Sequence, residues 1–320
     1  MALLEVKDLE VTYLALSGRL KAVEGVSFEM ERGEWLSIVG ESGSGKSTMA
    51  YAIMRLVPPP GRITGGNIFF NGIDILSLEK EELRKIRGKD ISMVFQDPMT
   101  SLDPLRKIGD QMAEVIIEHE NVNKKEALSR VEEILRSVNL PPHVIFSYPH
   151  QLSGGQRQRV VIGMAMSLSP KLLIADEPTT ALDVIVQEGI MELLQDMKKK
   201  GTSIMFITHD LSLASVWSDR IMVMYAGKLA ELGSTSDIVE KPLHPYTKGL
   251  LDSVPDLWSD RKTVPIPGNP PDMRSPPKGC RFHPRCERKL EICSKDEPPI
   301  FELNGRKVSC WLYAEKEGSA

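Results

Sequence analysis

Short apolar runs alternate along the chain with longer stretches in which apolar positions recur every three or four residues. The first pattern predicts strands and the second helices, and their alternation predicts a parallel sheet with crossover helices, an α/β fold. Trp35–Val39 predicts a buried strand running into a glycine-rich turn, and Ser47–Leu56 predicts a helix stopped by Pro58-Pro59-Pro60. Asn67–Phe70 predicts a strand closed by an Asn71-Gly72 turn, and Ile91–Phe95 predicts another. Residues from about 105 to 165 predict mostly helix, with breaks at Pro141-Pro142 and Pro149. Lys171–Ala175 and Ser203–Thr208 are apolar runs of the kind covered on both faces of a sheet. Between them Val186, Ile190, Leu194 and Met197 recur at helical spacing, and Arg220–Tyr225, Ala226-Gly227 and Lys228–Leu232 predict a hairpin. No internal repeat is visible.

Composition narrows the class. The 320 residues suggest about two domains, and 40 Lys+Arg against 44 Asp+Glu give a net charge of −4. That balance argues against a protein whose main work is gripping a nucleic-acid backbone, which needs a basic face. No apolar run approaches the ~18–20 residues of a membrane span, and the first ten residues lack a basic segment followed by an apolar one. A cytosolic chain is expected, serving any membrane from outside the lipid. The composition changes near residue 240: all 4 cysteines fall after residue 279, and 12 of the 22 prolines lie between Pro242 and Pro299. The expected division is a first domain over residues 1–250, with a helical part over about 100–168, and a small extension over 251–320.

Gly40-Glu41-Ser42-Gly43-Ser44-Gly45-Lys46-Ser47 fits G-x-x-x-x-G-K-[ST] between a predicted strand and a predicted helix. Glycines permit positive φ, so successive N–H groups turn toward phosphate oxygens, and the following helix adds its positive end. Candidate nucleotide contacts are Gly40, Ser42, Gly43, Ser44, Gly45, Lys46, Ser47 and Thr48. Lys46 would reach the β- and γ-phosphates, and the Ser47 hydroxyl would ligate Mg²⁺. A second acidic element, Asp176-Glu177-Pro178, ends the apolar strand Leu172–Ala175. Ligands of parallel α/β sheets sit at the carboxyl ends of strands. Asp176 is therefore a candidate Mg²⁺ partner, and Glu177 a candidate general base for an attacking water.

Leu152-Ser153-Gly154-Gly155-Gln156 precedes a long helical pattern containing Arg157 and Arg159. A glycine pair with a hydroxyl at a helix N-terminus is again an anion-binding device. Two such devices are one more than a single nucleotide needs, which suggests two chains facing head to tail, each giving its second loop to the other's nucleotide.

With these motifs the sequence resembles the ATP-binding-cassette (ABC) ATPases, over residues 1 to about 250. The resemblance implies a P-loop ABC ATPase domain with a RecA-like parallel sheet core, an antiparallel β subdomain and a helical subdomain. It implies that Tyr13 stacks on adenine and that Gln96, in Val94-Phe95-Gln96-Asp97-Pro98, senses Mg²⁺ and the attacking water. Ser153 and Gly155 resemble the contacts to the γ-phosphate held by the opposing subunit. Asp183 resembles the loop that couples the two sites, and His209 the histidine that bonds the γ-phosphate. Taken singly, Tyr13 is equally an ordinary strand aromatic, and His119, His143, His150, His244 and His283 have no comparable placement.

Cys280-x₅-Cys286-x₆-Cys293-x₁₆-Cys310 leaves three readings open: two disulfides, a Cys₄ zinc site without close C-x₂-C knuckles, or an iron–sulfur cluster. The stretch His244-Pro245-Tyr246-Thr247-Lys248, the proline-rich connector and the cysteines resemble the C-terminal extension of oligopeptide/dipeptide-importer ATPases. That resemblance implies a [4Fe-4S] cluster in preference to zinc. It also implies an importer motor with ATP and Mg²⁺, a second ATPase subunit that is a paralogue, two membrane permease subunits and an extracellular solute-binding protein. Met99-Thr100-Ser101-Leu102-Asp103-Pro104 resembles the surface near the permease contact. Peptides are the expected cargo, with oligosaccharides and metal chelates as alternatives. A soluble ABC ATPase acting on nucleic acid or ribosomes is the contrasting class, disfavoured by one phosphate loop and no basic block larger than Lys198-Lys199-Lys200.

Overall fold

A computed structural model describes residues 2–15, 18–180, 182–254 and 263–314. The chain divides into two compact units, Met1–Leu76 with Ile207–Ala320, and Ser77–Phe206. The first begins with β1 (Leu4–Ala15), β2 (Gly18–Met30), β3 (Trp35–Val39), α1 (Lys46–Ile53), β4 (Gly61–Phe70) and β5 (Ile73–Asp74). The second holds α2 (Lys80–Ile86), β6 (Ile91–Val94), α3 (Pro98–Ser101), α4 (Ile108–His119), α5 (Lys124–Ser137), α6 (Gly154–Met166), β7 (Leu172–Asp176) and α7 (Val184–Lys199). β8 (Ser203–Thr208) crosses the division. The first unit then resumes with α8 (Leu211–Trp217), β9 (Arg220–Tyr225), β10 (Lys228–Ser234), α9 (Thr235–Glu240), α10 (Pro245–Asp252), β11 (Phe301–Leu303) and β12 (Arg306–Val308).

In the first unit an antiparallel sheet runs β2-β1-β4-β5. In β1, Leu4, Val6, Leu9 and Val11 are all buried, although an extra residue breaks the alternation between the pairs. A register shift there, with Asp8 at φ 46, turns the chain so that both halves face inward. Gly66 of β4 makes room for it, because a Cβ there would lie 2.4 Å from the Lys7 carbonyl oxygen. β4 therefore starts six residues before the predicted Asn67, its glycines hiding the alternation. Helix α1 ends at Ile53, earlier than predicted. Arg55 takes φ 49, and the N–H groups of Leu56 and Arg55 bond back to Tyr51 and Ala52 at 2.7 and 2.9 Å. This local reversal closes the helix before the prolines do.

The same unit holds a second sheet segment in which β3 pairs parallel with β9, and β10 pairs antiparallel with both β9 and β12. The hairpin β11–β12 thus extends the strand set of β9 and β10. Glu231 of β10, fully buried, accepts the N–H groups of Leu243 and His244 at 2.9 Å each and Arg306 Nη2 at 2.5 Å. Tyr225, Tyr246 and Phe282 pack together in the core beneath, their rings tilted or edge-on to one another.

In the second unit β6 and β7 pair in parallel. The buried faces of α4 (Ile108, Met112, Ile116) and α5 (Ala127, Val131, Leu135) follow helical spacing, whereas α6 buries the consecutive residues Val160, Val161 and Ile162 and so is covered on more than one side. Gly163 lets α6 approach closely, with Ile134 and Met112 within 3.3 Å of where its Cβ would stand. Among the described residues, no helix is long and apolar enough to cross a membrane.

Candidate nucleotide-binding site

The glycines of the Gly40–Ser47 loop are required by what they touch. A Cβ on Gly40 would stand 2.2 Å from the Met224 carbonyl oxygen, and one on Gly45, at φ 100, 2.3 Å from that of Ala22. Gly43 is also left-handed, at φ 78. Gly227 N–H donates to the Ser44 carbonyl at 2.9 Å, tying the loop to the β9–β10 turn. Gly45 caps α1 without a side-chain hydrogen bond, so the positive end of the helix carries no built-in anion. Lys46 is 4 % exposed and donates from Nζ to the carbonyls of Gly40 at 2.7 Å and Glu41 at 3.0 Å. A curled loop, an uncapped helix end and a sequestered ammonium fit a polyphosphate.

In the second unit β7 delivers Asp176, fully buried, and then Glu177 at φ 45. Gln96, just beyond β6, donates from Nε2 to Glu177 Oε2 at 3.1 Å, and Thr180 Oγ1 donates to the same oxygen at 3.0 Å. The parallel pairing of β6 with β7 brings these strand ends side by side. Thr180 escaped the sequence reading; its signal is only its place three residues after Glu177, in the same turn.

Ser153 caps α6 and shares a reciprocal bond pair with Gln156: it accepts from Gln156 N–H at 3.3 Å, and Gln156 Oε1 accepts from Ser153 N–H at 2.9 Å. A Cβ on Gly155 would lie 2.6 Å from Val186 Cγ1, so this loop and the start of α7 are packed together. Asp183 caps α7, accepting from Val186 N–H at 2.9 Å. Ala181, beside it in the motif, lies outside the described residues.

His209 and Tyr13 belong to the first unit, as does the phosphate loop. His209 is exposed and follows β8. Tyr13 faces Gly61 across β1–β4, and its Cε1 lies 2.6 Å from where a Cβ on that glycine would be. A glycine there leaves room for the ring beside the neighbouring strand.

A family model for the ABC transporter matches residues 23–180, and one for the oligopeptide/dipeptide transporter C-terminal region matches residues 230–293. The oligopeptide transport ATP-binding protein OppD of Bacillus subtilis (strain 168) is 49 % identical over 317 residues, covering 97 % of this chain and 88 % of its own. This chain is an ABC transporter ATP-binding protein of the oligopeptide/dipeptide type. The dipeptide transport ATP-binding protein DppD of the same species is 46 % identical, covering 98 % of this ABC protein and 95 % of its own length. Among solved structures, a dimeric ATP-binding cassette in a post-hydrolysis state bound to ADP and Pi is 32 % identical with a TM-score of 0.67. It covers 72 % of this chain and 98 % of its own.

Among the described residues no group of three or more His, Cys, Asp or Glu is already placed to hold a metal ion. All four cysteines are free thiols, with Cys293 and Cys310 buried. Burial pushes the Cys280 and Cys310 thiols up to about 11 and raises Cys286. Each sulfur nonetheless faces backbone N–H groups: Cys280 those of Phe282 and His283, Cys286 that of Arg288, Cys310 that of Leu312, and Cys293 that of Leu290 at 3.4 Å.

Proposed function

We propose that this chain is the ATP-hydrolysing subunit of a membrane importer for di- and oligopeptides, working at the cytoplasmic face of the membrane. The observation that carries the hydrolytic role is the Glu177 carboxylate held by Gln96 and Thr180 at the end of β7. Near-full-length similarity to oligopeptide and dipeptide transport ATP-binding proteins supports the cargo. Residues 1–250 form the nucleotide-binding domain, and residues 251–320 an extension of it.

The roles follow from placement and from family resemblance. Tyr13 stacks on adenine, while Gly40, Ser42, Gly43, Ser44, Gly45, Lys46, Ser47 and Thr48 cradle the phosphates. Ser47, Gln96 and Asp176 hold Mg²⁺, which neutralises phosphate charge when bound. Glu177 takes the proton of the attacking water, and His209 bonds the γ-phosphate. Ser153 and Gly155 serve the nucleotide of a head-to-tail ATPase partner, a paralogue of this chain, and Asp183 couples the two sites. ATP binding closes this pair and hydrolysis reopens it, driving two permease subunits fed by an extracellular solute-binding protein. The segment from Met99 to Pro104, with Met99 exposed, serves the permease-facing surface.

The cargo is tested by purifying the solute-binding protein encoded beside this subunit and titrating it with peptides, sugars and metal chelates. Saturable peptide binding is expected. Binding of a sugar or chelate with no response to peptides overturns the peptide assignment and keeps the motor.

The four cysteines serve a [4Fe-4S] cluster in the extension. N–H donors on all four sulfurs support this, since such bonds stabilise thiolates at a cluster. Anaerobically purified protein is then brown, with iron near four per chain. One zinc per colourless chain makes the site a zinc site, and neither metal leaves the cysteines as packing residues.

A further inference from the structure

The phosphate-binding loop contains a carboxylate, Glu41, among residues that must receive a polyanion. The side chain of Lys46 bonds the backbone carbonyl of this residue. The charge is met from the C-terminal extension. Arg285 Nη1 and Nη2 donate to the two Glu41 carboxylate oxygens at 2.7 and 2.9 Å, a paired fork between residues 244 positions apart.

The guanidinium is held from every side. Its Nε donates to the Pro267 carbonyl at 2.8 Å, and Nη1 also reaches Tyr225 Oη at 3.3 Å. The rings of Tyr225 and Phe282 lie 5.8 and 5.9 Å away, and the side chain is 5 % exposed. Four acceptor oxygens, two of them on one carboxylate, suit the forked donors of arginine and not lysine. The Glu41 N–H donates to Tyr246 Oη at 2.8 Å, so side chain and backbone of the same loop residue are both gripped from beyond residue 244. Pro270, Pro271 and Met273 of the connector line a cleft with Ser42 and Gly43 of the loop.

We propose that Arg285 is a positioning residue of the ATP site, cancelling the charge of Glu41 so that the loop presents a net attraction to phosphate. The inference rests on the ATP-binding reading above and extends it: the C-terminal extension sets nucleotide affinity. With Arg285 gone, the carboxylate stands uncompensated beside incoming phosphates, and repulsion grows with the phosphate charge. Arg285 sits next to Cys286, on the turn His283–Arg285, so the fold of the cysteine segment determines whether the fork reaches the loop.

The test is equilibrium binding of a fluorescent ATP analogue and its ADP counterpart to the full chain, with steady-state ATPase kinetics of the assembled transporter. Arg285→Gln is expected to weaken ATP binding on the order of tenfold, to weaken ADP binding less, and to raise KM with little change in kcat. Glu41→Gln/Arg285→Gln is expected to regain most of the loss, because it removes the stranded charge. Arg285→Lys keeps the cation without the fork and falls between. Equal penalties for ATP and ADP, no recovery in the double variant, or ATP binding by Arg285→Gln within twofold of the parent each overturn the proposal. If Arg285→Gln does not fold, Arg285→Lys carries the ATP-against-ADP comparison. A parent chain that binds neither nucleotide overturns the ATP-binding reading itself, a distinct result.

Discussion

Gln96 and Glu177, 81 residues apart, are joined by a 3.1 Å hydrogen bond from amide to carboxylate oxygen. Thr180 donates to the same oxygen, so the carboxylate is oriented by two donors before any substrate arrives. Glu177→Gln is expected to keep ATP binding and to lose about 10²–10⁴-fold in turnover, the range of a lost general base. Thr180→Val, which removes one neutral hydrogen bond, is expected to cost roughly tenfold or less. Phosphate release at saturating ATP measures both, and near-normal hydrolysis by Glu177→Gln removes this residue as the base.

Gly45 has no room for a side chain. Gly45→Ala places a methyl against the Ala22 carbonyl and strains a residue at φ 100, so loss of nucleotide binding is expected with about 1–3 kcal/mol of stability. Gly201 is the control: its φ is 99, but nothing lies within 4 Å of where its Cβ would be. Gly201→Ala pays the backbone strain alone and should leave nucleotide binding intact. Urea midpoints and nucleotide titrations separate the two.

Gly155 and Val186 form a tight pair in the second unit, with a Gly155 Cβ landing 2.6 Å from Val186 Cγ1. Gly155→Ala is expected to destabilise the chain by about 1–3 kcal/mol through overpacking. Val186→Ala in the same chain should recover much of that, a coupling that a double-mutant cycle measures. Additive effects would mean that the α6 and α7 ends do not press on each other.

His244 is buried, and burial holds its pKa down to about 4. Its Nδ1 accepts from Tyr246 N–H at 3.0 Å, and the ring also bonds the Ser309 backbone, so the neutral ring is satisfied and a second ring proton has no acceptor. Glu231, which accepts the His244 N–H, is paired with Arg306. An unfolded histidine takes its proton near pH 6.5 and the folded one only near 4. The stabilisation is therefore whole above pH 6.5 and is lost as pH falls toward 4, up to about 3 kcal/mol. His244→Asn keeps a cap for Tyr246 N–H and does not titrate. Its urea midpoint should fall less than the parent's between pH 7 and 4.5; parallel curves would contradict the assignment.

The sequence showed most plainly those elements whose signal is local. β3 and β8 stand where their apolar runs predicted, and the loop before α1 is legible from its glycines alone. The end of α1 was not legible, because Arg55 closes it in a left-handed conformation with no glycine to announce it. The long hairpin β1–β2 was also missed, since the extra residue at Asp8 breaks the alternation that betrays a strand.

By itself the sequence determined the chemistry: a phosphate loop, an acidic strand end, a second glycine loop and four late cysteines. These are short-range patterns, in which each residue's role depends on neighbours a few positions away. Only the tertiary structure decided which distant groups meet. Gln96 reaches Glu177 because β6 and β7 run side by side, and Arg285 reaches Glu41 because Phe282 and Tyr246 pack into the core under β9. Such contacts depend on burial and strand pairing across tens to hundreds of residues, and no spacing along the chain records them.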